Sequence, residues 1–156
     1  MEGKLKSSLA TIVIIGLQCC SPIIRTDSGE VNFLYKEAQG TIAVKSTGYG
    51  SSRTEAVSDA QINAFKVLLF KGVPGTELNI PLIENENDAK SIHSDYFKKF
   101  FEQGNYKKFM MSSTESSNLI NINIKGTKEI SVDVKINYNS LRKDLEQNQV
   151  IRKFGF

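Results

Sequence analysis

Residues 128–138 read Lys128-Glu129-Ile130-Ser131-Val132-Asp133-Val134-Lys135-Ile136-Asn137-Tyr138. Ile130, Val132, Val134, Ile136 and Tyr138 alternate with Ser131, Asp133, Lys135 and Asn137, so an extended chain places all the apolar side chains on one face. Leu119 to Lys125 repeats the pattern, setting Ile120, Ile122 and Ile124 against Asn121, Asn123 and Lys125. Gly126-Thr127 joins the two runs tightly, which predicts an antiparallel hairpin. One face of its sheet must be covered by helices, and the other is wet or meets a polar partner.

The covering helices are legible upstream. Thr41 to Thr47 alternates Ile42 and Val44 with Lys45 and reads as a first strand, ended by Gly48-Tyr49-Gly50. Ser52-Arg53-Thr54-Glu55 is a capping box that opens a helix, its hydroxyl and carboxylate each able to satisfy an orphan backbone N–H. Ala56, Ala60 and Ala64 recur every four residues and run on into Val67 and Leu68. They form a narrow stripe of small side chains that lets the helix lie close to a sheet, widened by Phe65 and Leu69. Lys71-Gly72 ends the helix, with Pro74 beyond. Gly75 to Asp88 reads as a loop, and a second helix is expected from Asn87 or Asp88 to Gly104. Its stripe is Ala89, Ile92, Tyr96, Phe97, Phe100 and Phe101. Tyr106 to Ser112 is expected as a strand, and a short helix from Ser140, with Leu141 and Leu145 inward, precedes a tail from Val150 to Phe156. The expected class is α+β, with two layers. A mainly antiparallel sheet of about four strands carries two main helices on one face, in the order β-α-α-β-β-β-α.

The amino terminus has a different character. Lys4 and Lys6 precede an uncharged run, Leu9-Ala-Thr-Ile-Val-Ile-Ile-Gly-Leu17, followed by Gln18-Cys19-Cys20. A basic start and a short apolar core fit a secretory signal peptide, and the run is too short for about 30 Å of hydrocarbon. Leu17-Gln18-Cys19-Cys20 resembles the lipobox of bacterial lipoproteins, with Cys20 as the lipidated residue and Cys19 as the alternative. The expected organisation is a lipoprotein signal peptide over 1–19, a lipid-anchored tether over 20–39 and one α+β domain over 40–156. Within the tether, Val31, Phe33, Leu34 and Tyr35 could form a short strand or docking segment. Adjacent cysteines have Cα atoms only about 3.8 Å apart, which disfavours a Cys19–Cys20 disulfide. With no other cysteine, the mature domain must fold on its core alone. Its roughly 137 residues are the size of one ordinary domain.

Gly48-Tyr49-Gly50-Ser51-Ser52 feeding a helix with Ala56, Ala60 and Ala64 resembles the Lpp-twenty-type bacterial lipoproteins. It is similar also to the N-terminal domain of the flagellar assembly protein T. The resemblance covers about residues 40 to 72. Beyond that only the element order matches, with an insertion-like segment around Leu78 to Asp88. It implies a non-enzymatic envelope lipoprotein and brings no site residues with it.

Charge and chemistry agree with that expectation. The formal charge of +3 falls to +2 once Glu2, Lys4 and Lys6 leave, and the charges are interspersed. A nucleic-acid binder would need a clustered basic face, so no nucleic-acid partner is expected; Tyr106-Lys107-Lys108-Phe109 and Arg152-Lys153-Phe154 read as alternate faces of strands. His93 is the only histidine, which leaves zinc or Cys/His catalysis without its parts. Glu84, Glu86 and Asp88 resemble half a calcium loop, but the glycine and the terminal glutamate are missing, so a solvated loop ending in a helix cap is expected. Gly48-x-Gly50 resembles a phosphate-binding turn without its third glycine or lysine. No catalytic residue, cofactor or metal ligand is therefore expected. The expected protein is lipid-anchored in the outer membrane, faces the periplasm and works by binding other envelope components. The alternatives are an accessory lipoprotein of a trans-envelope secretion or surface-appendage machine, and an enzyme acting on cell-wall or small-molecule substrates.

Overall fold

The computed structural model describes residues 29–37, 40–124 and 126–153. In chain order its elements are β1 (Val31–Lys36), β2 (Thr41–Gly50), α1 (Arg53–Phe70), α2 (Glu86–Ile92), α3 (Ser94–Phe97), β3 (Met110–Glu115), β4 (Ile120–Asn121), β5 (Lys128–Asn137) and α4 (Tyr138–Gln147). A π-helical turn, Lys98–Glu102, and a 3-10 turn, Asn105–Phe109, link α3 to β3. The fold is α+β with one antiparallel sheet, ordered β1-β2-β5-β3, and β4 beside β5. The element order thus gains a leading strand and a third short helix over the expected one. Val31–Lys36 is a full strand, paired with β2 across a bulge between Phe33 and Tyr35.

β5 has the expected alternation: Ile130, Val132, Val134 and Ile136 are completely buried. β2 pairs with it over ten residues, from Thr41 opposite Asn137 to Gly50 opposite Lys128. The strand therefore runs through Gly48-Tyr49-Gly50 instead of ending there. The reason is steric: a β-carbon on Gly48 would stand 2.3 Å from the Ala56 carbonyl oxygen, so the glycine is where helix and sheet backbones meet. Ala56, Ala60 and Ala64 are fully buried, as are Phe65 and Leu69. Ile42, Val44, Ser46 and Gly48 of β2 face α1 together with the even-numbered residues of β5, and the core lies between them.

Between Asn85 and Phe109 three expectations change. The second helix starts at Glu86, one or two residues early, capped by Asn85, whose side chain accepts from the Asp88 N–H at 3.2 Å. It then breaks at His93 (φ −113°, ψ 39°), so the stripe loses its register and Ile92 is 75% exposed. Tyr96, Phe97, Phe100 and Phe101 still meet as an aromatic cluster with Phe65, Phe70, Tyr106 and Phe109. Tyr106–Phe109 is a 3-10 turn rather than a strand; its three-residue period buries Tyr106 and Phe109 and exposes Lys107 and Lys108.

The strand expected over Leu119–Lys125 is only two residues long, and the isoleucine within it, Ile120, faces the opposite way. Ile120 sits opposite Glu129, so it shares the face that points away from α1, whereas Leu119 packs against the core. Lys125 lies outside the described residues.

Candidate functional site

A groove of about 730 Å³ that combines apolar and charged walls lies between the 77–85 segment, α2, α4 and the 150–152 segment. Its outer wall is built on the end of α1. Gly72, at φ 73°, takes the left-handed position after Lys71, and its N–H donates to the Val67 carbonyl at 2.7 Å. The chain then folds back, so that Ile83 N–H donates to the Leu69 carbonyl (2.9 Å), one of the acceptors the helix leaves open. Thr76 pins the intervening turn: its hydroxyl donates to the Val73 carbonyl (2.8 Å) and accepts from Leu78 N–H (3.0 Å). Lys36 of β1 pairs with Glu77 at 2.9 Å and ties the loop to the sheet edge.

Apolar side chains line the groove, among them Leu78, Leu82, Ile83, Val150 and Ile151. Ile80 and Ile92, 73% and 75% exposed, leave large apolar side chains open to solvent beside it. Arg142 and Arg152 supply positive charge, and Arg142 Nε donates to Glu146 at 3.2 Å. Tyr138 contributes a phenol whose pKa is raised above 10.0, chiefly by burial. The arrangement is suited to holding an amphipathic chain against its apolar walls, with charge at the rim.

His93 and Glu84 both line this groove. The break at His93 turns Ile92 outward and so helps open the groove. The other two carboxylates of the acidic run are committed locally: Glu86 pairs with Lys90, and Asp88 accepts from Asn85 Nδ2 at 2.6 Å. They serve the helix start, as the sequence predicts, although Asn85 is the cap itself. Among the described residues, no group of three or more His, Cys, Asp or Glu side chains could hold a metal ion.

Gly48-x-Gly50 is not a turn but the paired end of β2, and the groups after it are taken up by the protein itself. Ser52 Oγ accepts from Glu55 N–H at 3.2 Å, and the Glu55 carboxylate accepts from Ser51 N–H at 2.9 Å and from the Ser51 hydroxyl. The capping box is thus extended by one residue: the glutamate bonds chiefly to Ser51, with the Ser52 N–H a lesser partner. Tyr49 N–H donates to Asp59 Oδ2 (2.9 Å), closing the other side. Asn63 Nδ2 reaches the same carboxylate and the Thr47 carbonyl, both at 3.2 Å.

The signal segment and the candidate lipidation residues, Cys20 and Cys19, lie outside the described residues, as does Phe154. Among the described residues no helix is long and apolar enough to cross a membrane. The chain matches no protein-family model, no curated protein and no solved structure.

Of the groove residues, Arg142 carries no sequence signal, and Tyr138, expected on the apolar face of the last strand, instead opens α4. The available signal was the apolar run Leu78-Asn79-Ile80-Pro81-Leu82-Ile83 inside a loop. Such a run is too apolar to be only a connector, and here it forms a wall.

Proposed function

We propose that this is a lipid-anchored protein of the bacterial cell envelope that acts without catalysis, by binding other envelope components. The observation that carries the reading is the order of the first twenty residues: Lys4 and Lys6, the apolar run to Leu17, then Cys20. Cys20 is the acylated residue in this proposal, and the outer membrane, facing the periplasm, is its location. The resemblance over residues 40 to 72 to the Lpp-twenty-type lipoproteins and the N-terminal domain of flagellar assembly protein T points the same way. The finer architecture we propose is two layers with the main helices on one face of the sheet, which the backbone approach of Gly48 to Ala60 supports. A binding role is supported by the 730 Å³ groove with Ile80 and Ile92 exposed beside it, because large solvent-exposed apolar side chains grouped at a concave surface favour a partner. That partner belongs, in the narrower version, to a trans-envelope secretion or surface-appendage machine.

The anchor is tested by labelling cells with radioactive palmitate. Two acyl chains give stable membrane attachment where one binds marginally. Cys20→Ser is expected to abolish labelling and release the protein from membranes, and Cys19→Ser to leave both largely intact. The reverse pattern moves the anchor to Cys19. A double variant that stays on the membrane without label refutes the lipoprotein reading.

A further inference from the structure

The segment from Leu119 to Ile124 has the sequence of a strand and the geometry of half of one. Pairing with β5 stops at Asn121 opposite Lys128. The next backbone hydrogen bonds, Ile122 N–H to the Thr127 carbonyl (3.1 Å) and Thr127 N–H to the Ile124 carbonyl (2.9 Å), belong to the turn. Ile120 is 50% exposed and Ile124 38%. The position of Ile120 follows from register: it opposes Glu129, one residue from Ile130, which itself opposes Gly48 beneath α1. Ile120 therefore stands on the sheet face turned away from α1, and the exposed Ile124 follows it in the turn.

This stretch is also the outer edge of the sheet, since β3 and β4 both pair with β5 on the side away from β2. Edge strands in monomers are normally blunted by charge or proline. From Leu119 to Ile124 there is neither. Because Ile122 N–H is turned toward the β5 side, an extended continuation of the strand directs the N–H groups of Asn121 and Asn123 outward.

Ile120-Asn121-Ile122-Asn123-Ile124 reads the same in both directions. Paired antiparallel with its own copy about Ile122, it sets Ile120 against Ile124, Ile122 against Ile122 and Asn121 against Asn123. No charge meets a like charge, and six isoleucines join on one face. The palindrome makes this edge complementary to itself. A two-fold contact requires self-complementarity, because the same patch serves both partners. We propose that residues 119–124 are completed as a strand by the same segment of a second copy of this chain, antiparallel, with the two-fold axis at Ile122. The proposal goes beyond the lipid-anchor reading and does not depend on it.

The test uses the full chain in detergent micelles, with Cys19→Ser and Cys20→Ser removing the other thiols. In that background Ile122→Cys is expected to give a disulfide-linked dimer under mild oxidation. Ile120→Cys and Ile124→Cys are each expected to stay monomeric alone and to cross-link when mixed. Failure of Ile122→Cys to cross-link, or equal cross-linking by Ile120→Cys alone, overturns the register. Sedimentation of the chain with its native isoleucines is expected to show a concentration-dependent dimer. Ile122→Lys, and separately the half-exposed Ile120→Lys, should each weaken that dimer by about tenfold or more, with the circular-dichroism melt of Ile120→Lys unchanged. A monomer at all concentrations, or cross-linking of Ile122→Cys in cells to a different protein and not to itself, overturns the proposal.

Discussion

Gly48 of β2 and Ala60 of α1 meet backbone to backbone: a β-carbon built on Gly48 would stand 2.1 Å from the Ala60 nitrogen. The contact sets the distance between helix and sheet. It explains why a strand tolerates a glycine in its paired interior and why the helix presents alanine every fourth residue.

Any side chain added at this contact must push the two elements apart. Ala60→Leu is expected to destabilise the fold by about 1–3 kcal/mol through overpacking, and Gly48→Ala by a similar or larger amount, because backbone cannot rotate aside. Both are read from chemical denaturation midpoints. A midpoint unchanged in Ala60→Leu would show that the alanine stripe does not face the core.

Tyr96 donates its hydroxyl to Asp144 at 2.7 Å and so ties α3 to α4. Tyr96→Phe is expected to cost about 1–2 kcal/mol, the worth of a hydrogen bond to a carboxylate that water can partly replace.

The same phenol makes stability sensitive to alkali. Burial first, then the hydrogen bond and charge of Asp144, hold its pKa well above the ordinary 10.0, and burial raises Tyr106 and Tyr138 as well. A folded pKa above the unfolded one means that the folded state keeps protons the unfolded state loses. Stability from this source is complete below about pH 10 and falls as pH rises beyond it, toward the folded value. Denaturation midpoints measured from pH 8 to 11 should decline, and less steeply in Tyr96→Phe.

Glu55 titrates below the ordinary 4.5, held down first by the Ser51 hydroxyl and then by the Ser51 N–H. Ser51→Ala is expected to move its titration back toward that value, followed by carboxyl NMR. Glu55 contributes to stability above its unfolded pKa and loses that contribution as pH falls through the lowered folded value, so the alanine variant should be less sensitive to acid. An unchanged titration would place the capping interaction elsewhere, on Ser52.

The proposed periplasmic orientation rests on the residues after Cys20, Ser21-Pro22-Ile23-Ile24-Arg25, which contain no early acidic run of the kind some bacteria use for surface export. Protease added to intact cells is expected to leave the protein uncut, and to degrade it once the outer membrane is opened. Degradation in intact cells would place it on the surface.

Sequence by itself determined the elements whose pattern is local and long. The alternation of β5 and the spacing of Ala56, Ala60 and Ala64 impose a buried face whatever they pack against, so strand, helix and core residues were all legible. Leu141 and Leu145 were placed inward on the same ground, and both are fully buried. Tertiary structure decided what depends on register and on breaks. The turn between Asn121 and Lys128 fixes Ile120 opposite Glu129, and a one-residue change would have sent it to the core instead. The break at His93 releases Ile92 from its stripe, and the return of Leu82 and Ile83 onto the end of α1 turns an apolar loop into the wall of a groove. The first two rest on the geometry of a turn and of one residue, and the third on a contact between separate segments, none of which period and composition encode.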